Sequence, residues 1–172
     1  MKPFLLYFKH LSLTANQLLL LTCSYIVFVL NSPFLAKAIT AITTLPDYNI
    51  FFLLSLPIFL LSISILLQGL VAFKLIIKPL LILTVLCSSL IFYSTFNYGT
   101  IFDYTMVQNA IETDSAELLS YINVYAVLFF IIAGVIPALL IYFIRIDYKP
   151  FYQEVLHRIK LFGICISTIL LI

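Results

Sequence analysis

Four long stretches of this chain carry no charged residue. They are Leu11–Ala36, Tyr48–Phe73, Pro79–Phe102 and Leu118–Ile144, of 26, 26, 24 and 27 residues. A helix needs about 20 apolar residues to cross the hydrocarbon core of a bilayer, so each stretch holds one crossing. Strict apolar–polar alternation is missing, which argues against a membrane barrel. Composition points the same way: 64% of the 172 residues are hydrophobic and 9% are charged, against about 25% charged in a soluble domain. Such a chain cannot clothe a soluble globule, and disorder needs the opposite composition. The expected fold is an all-α membrane protein with spans near Leu13–Leu30, Ile50–Ala72, Leu75–Phe96 and Ile122–Ile144. A fifth apolar run, Leu161–Ile172, has only 12 residues. It is too short to cross and reads as a fifth helix truncated at the C-terminus.

Orientation follows from the basic residues. Lys2 and Lys9 precede span one, Lys74 and Lys78 lie between spans two and three, and Arg145, Lys149, Arg158 and Lys160 lie between spans four and five. Only Lys37 falls on the opposite side. The positive-inside rule makes the populated side cytoplasmic, with the N-terminus inside and the C-terminus of a five-span chain outside. Asp47, Asp103, Glu112, Asp114 and Glu117 then lie outside, and Asp147 and Glu154 inside. Ala36-Lys37-Ala38 has a small-x-small pattern, but the apolar stretch before it is longer than a signal-peptide core and further spans follow, so the first helix reads as uncleaved. Tyrosines gather at both expected edges, as amphipathic rings do at headgroup level. The net charge of +2 carries no nucleic-acid footprint.

Several chemistries find no support in the residues. Cys23, Cys87 and Cys165 all fall inside apolar spans, where a free cysteine behaves as a small hydrophobe. His10 and His157 flank the cytoplasmic side, and neither has a second metal ligand at a usable spacing. No phosphate-binding glycine loop or nucleophile elbow is present, and no charge lies deep in a span to mark an ion path. Pro57 and Pro137 lie within spans two and four and are expected to bend them.

One segment is neither a span nor a simple loop. Tyr98–Tyr121 reads YGTIFDYTMVQNAIETDSAELLSY. Thr105-x-x-Gln108 fits a capping box, and Met106, Val107, Ala110 and Ile111 give the helix after it one apolar face, suited to lying on the membrane surface. Asp114-x-x-Glu117 reads as a second N-cap with an acid in the first turn. Short amphipathic helices are therefore expected between spans three and four. Asn109, Thr113 and Glu117 recur at four-residue spacing, which gathers an amide, a hydroxyl and a carboxylate on one stripe or inside one corner. A carboxylate suits an ammonium, and an amide or hydroxyl can donate to a phosphate oxygen. Those are the two poles of a zwitterionic phospholipid such as phosphatidylethanolamine. Capping and solvation of the outer face account for the same residues, and that alternative stays open.

The segment resembles the corresponding stretch of the lipid A phosphoethanolamine transferases, the group that includes the mobile colistin-resistance enzymes. The family pattern is close to YGxxxDxxMxxNxxxTxxAE, here Tyr98, Gly99, Asp103, Met106, Asn109, Thr113, Ala116 and Glu117. Lys78-Pro79 and Asp147-Tyr148 are similar too. The resemblance covers nearly the whole chain. It implies a membrane domain, residues 1–172, of a bacterial inner-membrane enzyme whose periplasmic catalytic domain lies outside this chain. That missing domain would carry zinc and a threonine nucleophile and pass phosphoethanolamine from phosphatidylethanolamine to lipid A. The resemblance places the donor lipid at Asn109, Thr113 and Glu117, and leaves this chain with no catalytic residue, no metal and no cofactor of its own. A transferase of another headgroup, such as phosphoglycerol, would share the architecture. A small non-enzymatic membrane protein is the further alternative.

Overall fold

The computed structural model describes residues 12–99 and 123–172. Asn109, Thr113 and Glu117, and the short helices expected around them, lie outside the described residues. The described chain is predominantly helical. Helix α1 (Ala15–Tyr25) runs into a π-helical turn (Ile26–Leu30). Then come α2 (Ser32–Thr43), α3 (Ile50–Val71) and α4 (Ile77–Tyr98). Helix α5 (Val124–Phe130) is joined by a second π-helical turn (Ile131–Val135) to α6 (Ile136–Phe143), and α7 (Phe151–Leu171) follows. Among the described residues, α3, α4 and the α5–α6 rod are each long and apolar enough to cross a membrane. The α1–α2 pair qualifies only when taken together, and it is bent by 57°.

Local sequence explains where these helices start. Thr14 and Gln17 cap α1 reciprocally: the Gln17 amide N–H donates to the Thr14 hydroxyl at 3.3 Å, and the Thr14 N–H donates to Gln17 Oε1 at 2.9 Å. Asn49 opens α3 by accepting from the Phe51 N–H at 2.8 Å, and Asn123 opens α5 by accepting from the Ala126 N–H at 2.8 Å. The bend lies at Asn31, where Ser32-Pro33 starts a new helix; proline in the first turn suits a start. The charge-free stretch Leu11–Ala36 is thus divided between two helices.

Apolar residues fill a core between α1 and α4. Leu19, Leu81 and Val85 are fully buried and Leu18 nearly so. Helix α3 buries only Ser62, Ile65 and Gly69, one seam at helical spacing. Much of its remaining surface is exposed and apolar, with Phe51, Leu54, Leu67 and Leu70 facing outward, as a lipid-facing helix requires. Helix α2 buries nothing. Cys23 and Cys165 are buried as the sequence suggests, whereas Cys87 faces outward.

Proline leaves its mark on the α5–α6 rod. Pro137 has no N–H to give to the carbonyl of Ala133, four residues back. The rod widens into its π-turn there, and the Tyr25 hydroxyl donates to the Ala133 carbonyl at 2.8 Å. Gly134 beside it lets α4 approach: a Cβ at that position would lie 2.5 Å from the Ser89 hydroxyl oxygen. Helix α1, helix α4 and the α5–α6 rod therefore meet in a tight polar seam inside an apolar bundle.

Two short strands modify the all-α expectation. β1 (Ser12–Leu13) pairs in parallel with β2 (Arg145–Ile146), Ser12 opposite Arg145 and Leu13 opposite Ile146. The Asp147 N–H extends the ladder to the Leu13 carbonyl at 2.9 Å. Residues preceding α1 are thereby clasped to the connection after α6. The apolar run Leu161–Ile172 belongs to a longer helix that begins at Phe151.

Candidate functional site

The segment that carries Asn109, Thr113 and Glu117 departs from α4 and returns at α5, and both attachment points are anchored. Gly99 ends α4 with φ +64°, the left-handed conformation that glycine adopts without strain. Its carbonyl accepts a hydrogen bond at 3.0 Å from the ammonium of Lys37 on α2. At the return, Asn123 accepts from the Tyr93 hydroxyl at 3.0 Å while it caps α5. Helix α4 therefore fixes one anchor by chain connectivity and the other through Tyr93. Phe92 in the same turn of α4 stacks on Phe129 of α5, ring centres 4.8 Å apart.

Lys37 stood apart from the other basic residues in the sequence, and its partner explains it. The C-terminal end of a helix carries a partial negative charge and carbonyls without amide partners. An ammonium from α2 meets that end of α4. The same device recurs at the other end of the bundle. The Lys78 ammonium donates to the Tyr142 carbonyl at 2.8 Å, in the last turn of α6. The Arg158 guanidinium donates to the Gly69 carbonyl at 3.1 Å, in the last turn of α3. None of these helices has a basic residue in its own last turn, so each cation is supplied by a neighbour. Tyr148 adds a fourth link: its hydroxyl donates to the Lys74 carbonyl at 2.9 Å, and the Lys74 ammonium sits 5.0 Å from its ring centre. Burial, and secondarily the charge of Glu154, push the Tyr148 hydroxyl above its usual pKa, so it stays a proton donor at neutral pH.

Sequence reasoning did not find this network. Its partners are far apart in the chain, and no local motif pairs them. At the end opposite Gly99, Thr14, Asn16, Lys149, Glu154 and His157 line a cleft of about 60 Å³. That volume has room for a couple of water molecules, and not for a lipid headgroup. Among the described residues, no three histidine, cysteine or acidic side chains converge on one point.

The model of a family described as phosphoethanolamine transferase EptA/EptB matches residues 60–172. The chain belongs to that family. Phosphatidylethanolamine transferase Mcr-1 of Escherichia coli is 33% identical over 124 residues, covering 72% of this chain and 23% of the relative. Phosphatidylethanolamine transferase Mcr-2 of Escherichia coli is 28% identical over 150 residues, covering 87% of the chain and 28% of the relative. The structure of the integral membrane protein lipooligosaccharide phosphoethanolamine transferase A (EptA) from Neisseria meningitidis superposes with a TM-score of 0.81 at 25% identity, over 94% of this chain and 31% of that one. The chain thus spans about a quarter of the length of the curated relatives it matches. Within the EptA/EptB family it is the N-terminal membrane domain, and its anchored α4–α5 connection is part of that domain.

Proposed function

We propose that this membrane domain holds the donor lipid for a phosphoethanolamine transferase. Phosphatidylethanolamine would be the donor and lipid A the acceptor. In this reading Glu117 pairs with the lipid ammonium, and Asn109 and Thr113 donate to its phosphate. The chemistry belongs to a zinc-dependent periplasmic domain beyond these 172 residues. The orientation that fits puts the N-terminus in the cytoplasm and Gly99 and Asn123 at the periplasmic face of the inner membrane, with the bent α1–α2 pair as the first span and the apolar half of α7 as part of a fifth. The observation that carries the proposal is the fold match to the meningococcal EptA, joined to a connection pinned at Gly99 and Asn123. A headgroup site needs such anchoring, because misplacing a bound group by even about 1 Å can cost roughly a hundredfold in rate.

A charge-assisted hydrogen bond contributes about 1.5–3 kcal/mol, so Glu117→Ala should weaken use of the lipid donor about 10- to 100-fold. The test measures lipid-donor turnover in a protein that also carries the catalytic domain, at matched folded level. Hydrolysis of a small water-soluble substrate analogue should stay nearly unchanged. Glu117→Gln separates the roles, since it keeps a side-chain acceptor for a helix cap and loses the charge. If Glu117→Gln retains full activity, the acid is a cap and the ammonium role is wrong.

A further inference from the structure

Helix α2 lies bent away from α1 with none of its residues buried, yet one of its faces is not bare surface. Phe34, Lys37, Ala38 and Ala41 recur at helical spacing, and with Ile91, Phe92 and Thr95 of α4 they border a groove of about 450 Å³. That volume falls in the range of ligand pockets, roughly 300–1,000 Å³. The walls are chiefly hydrocarbon and aromatic. Phe92 forms a rigid part of the wall, stacked between Phe96 at 5.7 Å and Phe129 at 4.8 Å. The polar groups are few. Asn31, at the bend, lines the groove without capping α2, and its side-chain amide carries two N–H donors. Lys37 has three N–H donors and spends one on Gly99.

We propose that this groove binds a membrane glycerophospholipid, one acyl chain between α2 and α4 and the phosphate against Lys37 and Asn31. The chemistry is complementary at each part. An apolar channel with small residues at Ala38 and Ala41 accepts a methylene chain. A cation and an amide at its rim accept an anionic phosphate, and a phosphate near an ammonium is strongly favoured where water is scarce. Gly99, which closes one side of Lys37, ends a membrane-length helix, so the phosphate sits where headgroups reside. The site is built from residues other than Asn109, Thr113 and Glu117 and stands whether or not those bind the donor.

Photo-crosslinking of the chain in bilayer nanodiscs of phosphatidylethanolamine and phosphatidylglycerol tests this. One probe is phosphatidylethanolamine with a diazirine on its acyl chain; the other is diacylglycerol with the same diazirine and no phosphate. Adducts mapped by mass spectrometry should concentrate on residues 34–41 and 91–95 with the phospholipid probe, relative to outward-facing Leu67. Ala38→Trp should fill the groove and remove them. Lys37→Gln should lower them about three- to tenfold, with Lys37→Arg near wild type. Equal labelling by diacylglycerol, labelling spread evenly to Leu67, or insensitivity to both Ala38→Trp and Lys37→Gln would overturn the proposal. So would disulfides between two copies carrying Ala38→Cys, since a second copy would then occupy the groove.

Discussion

Tyr25 is the residue whose role depends most on where another one sits. Its hydroxyl serves a carbonyl to which Pro137, four residues on, has no N–H to give. Tyr25→Phe should therefore destabilise the bundle by about 1 kcal/mol, measured by thermal or denaturant unfolding in detergent. Pro137→Ala returns an N–H to the rod, so in that background the loss from Tyr25→Phe should shrink toward zero. Additive losses in the double-mutant cycle would show that the two residues act separately. Gly99 makes a different demand. Among the described residues, no atom beyond its chain neighbours lies within 4 Å of a Cβ built there, and φ is +64°, so Gly99→Ala should cost about 1–2 kcal/mol through backbone strain alone. Gly99→Asn, which tolerates the left-handed region, should recover part of it. The proline was visible in the sequence and so was the tyrosine, but their connection was not. Tyr25 and Ala133 stand 108 residues apart in the chain, and a hydrogen bond that repairs a distant helix has no local signature.

Helix ends decide how firmly the elements are joined. Asn123 caps α5 and receives the Tyr93 hydroxyl at once. Asn123→Ala should cost about 1–2 kcal/mol, while Asn123→Asp, which keeps both acceptor roles, should stay close to wild type; unfolding midpoints of the two variants decide this. The long helices were legible in the sequence because hydropathy over about 20 residues leaves few other structures possible in lipid. The break at Asn31 was less so. Leu11–Ala36 lacks charge throughout and reads as one run, yet Asn31-Ser32-Pro33 is a start signal inside it. The two π-turns had no readable cause beyond the nearby proline. The strand pair β1–β2 is only two residues on each side, too short for any periodicity to announce.

The distribution of basic residues remains the strongest statement about the whole molecule. It predicts that Ser115→Cys, with the three native cysteines replaced by alanine, reacts with an impermeant thiol reagent in intact spheroplasts. Labelling only after lysis would invert the orientation. The candidate headgroup residues were legible as a spaced polar set and through family resemblance, and they lie outside the described residues. What the structure adds is the frame from which their segment departs. The clasp between Ser12–Leu13 and Arg145–Ile146 adds a consequence in time. A growing chain enters the bilayer from its N-terminal end, and β2 is synthesised only after α1 through α6. Residues 12 and 13 must therefore wait, unpaired, while those helices are inserted. The final closure of the bundle is an event of late synthesis, and a ribosome stalled before Arg145 would expose an unclosed intermediate to membrane proteases.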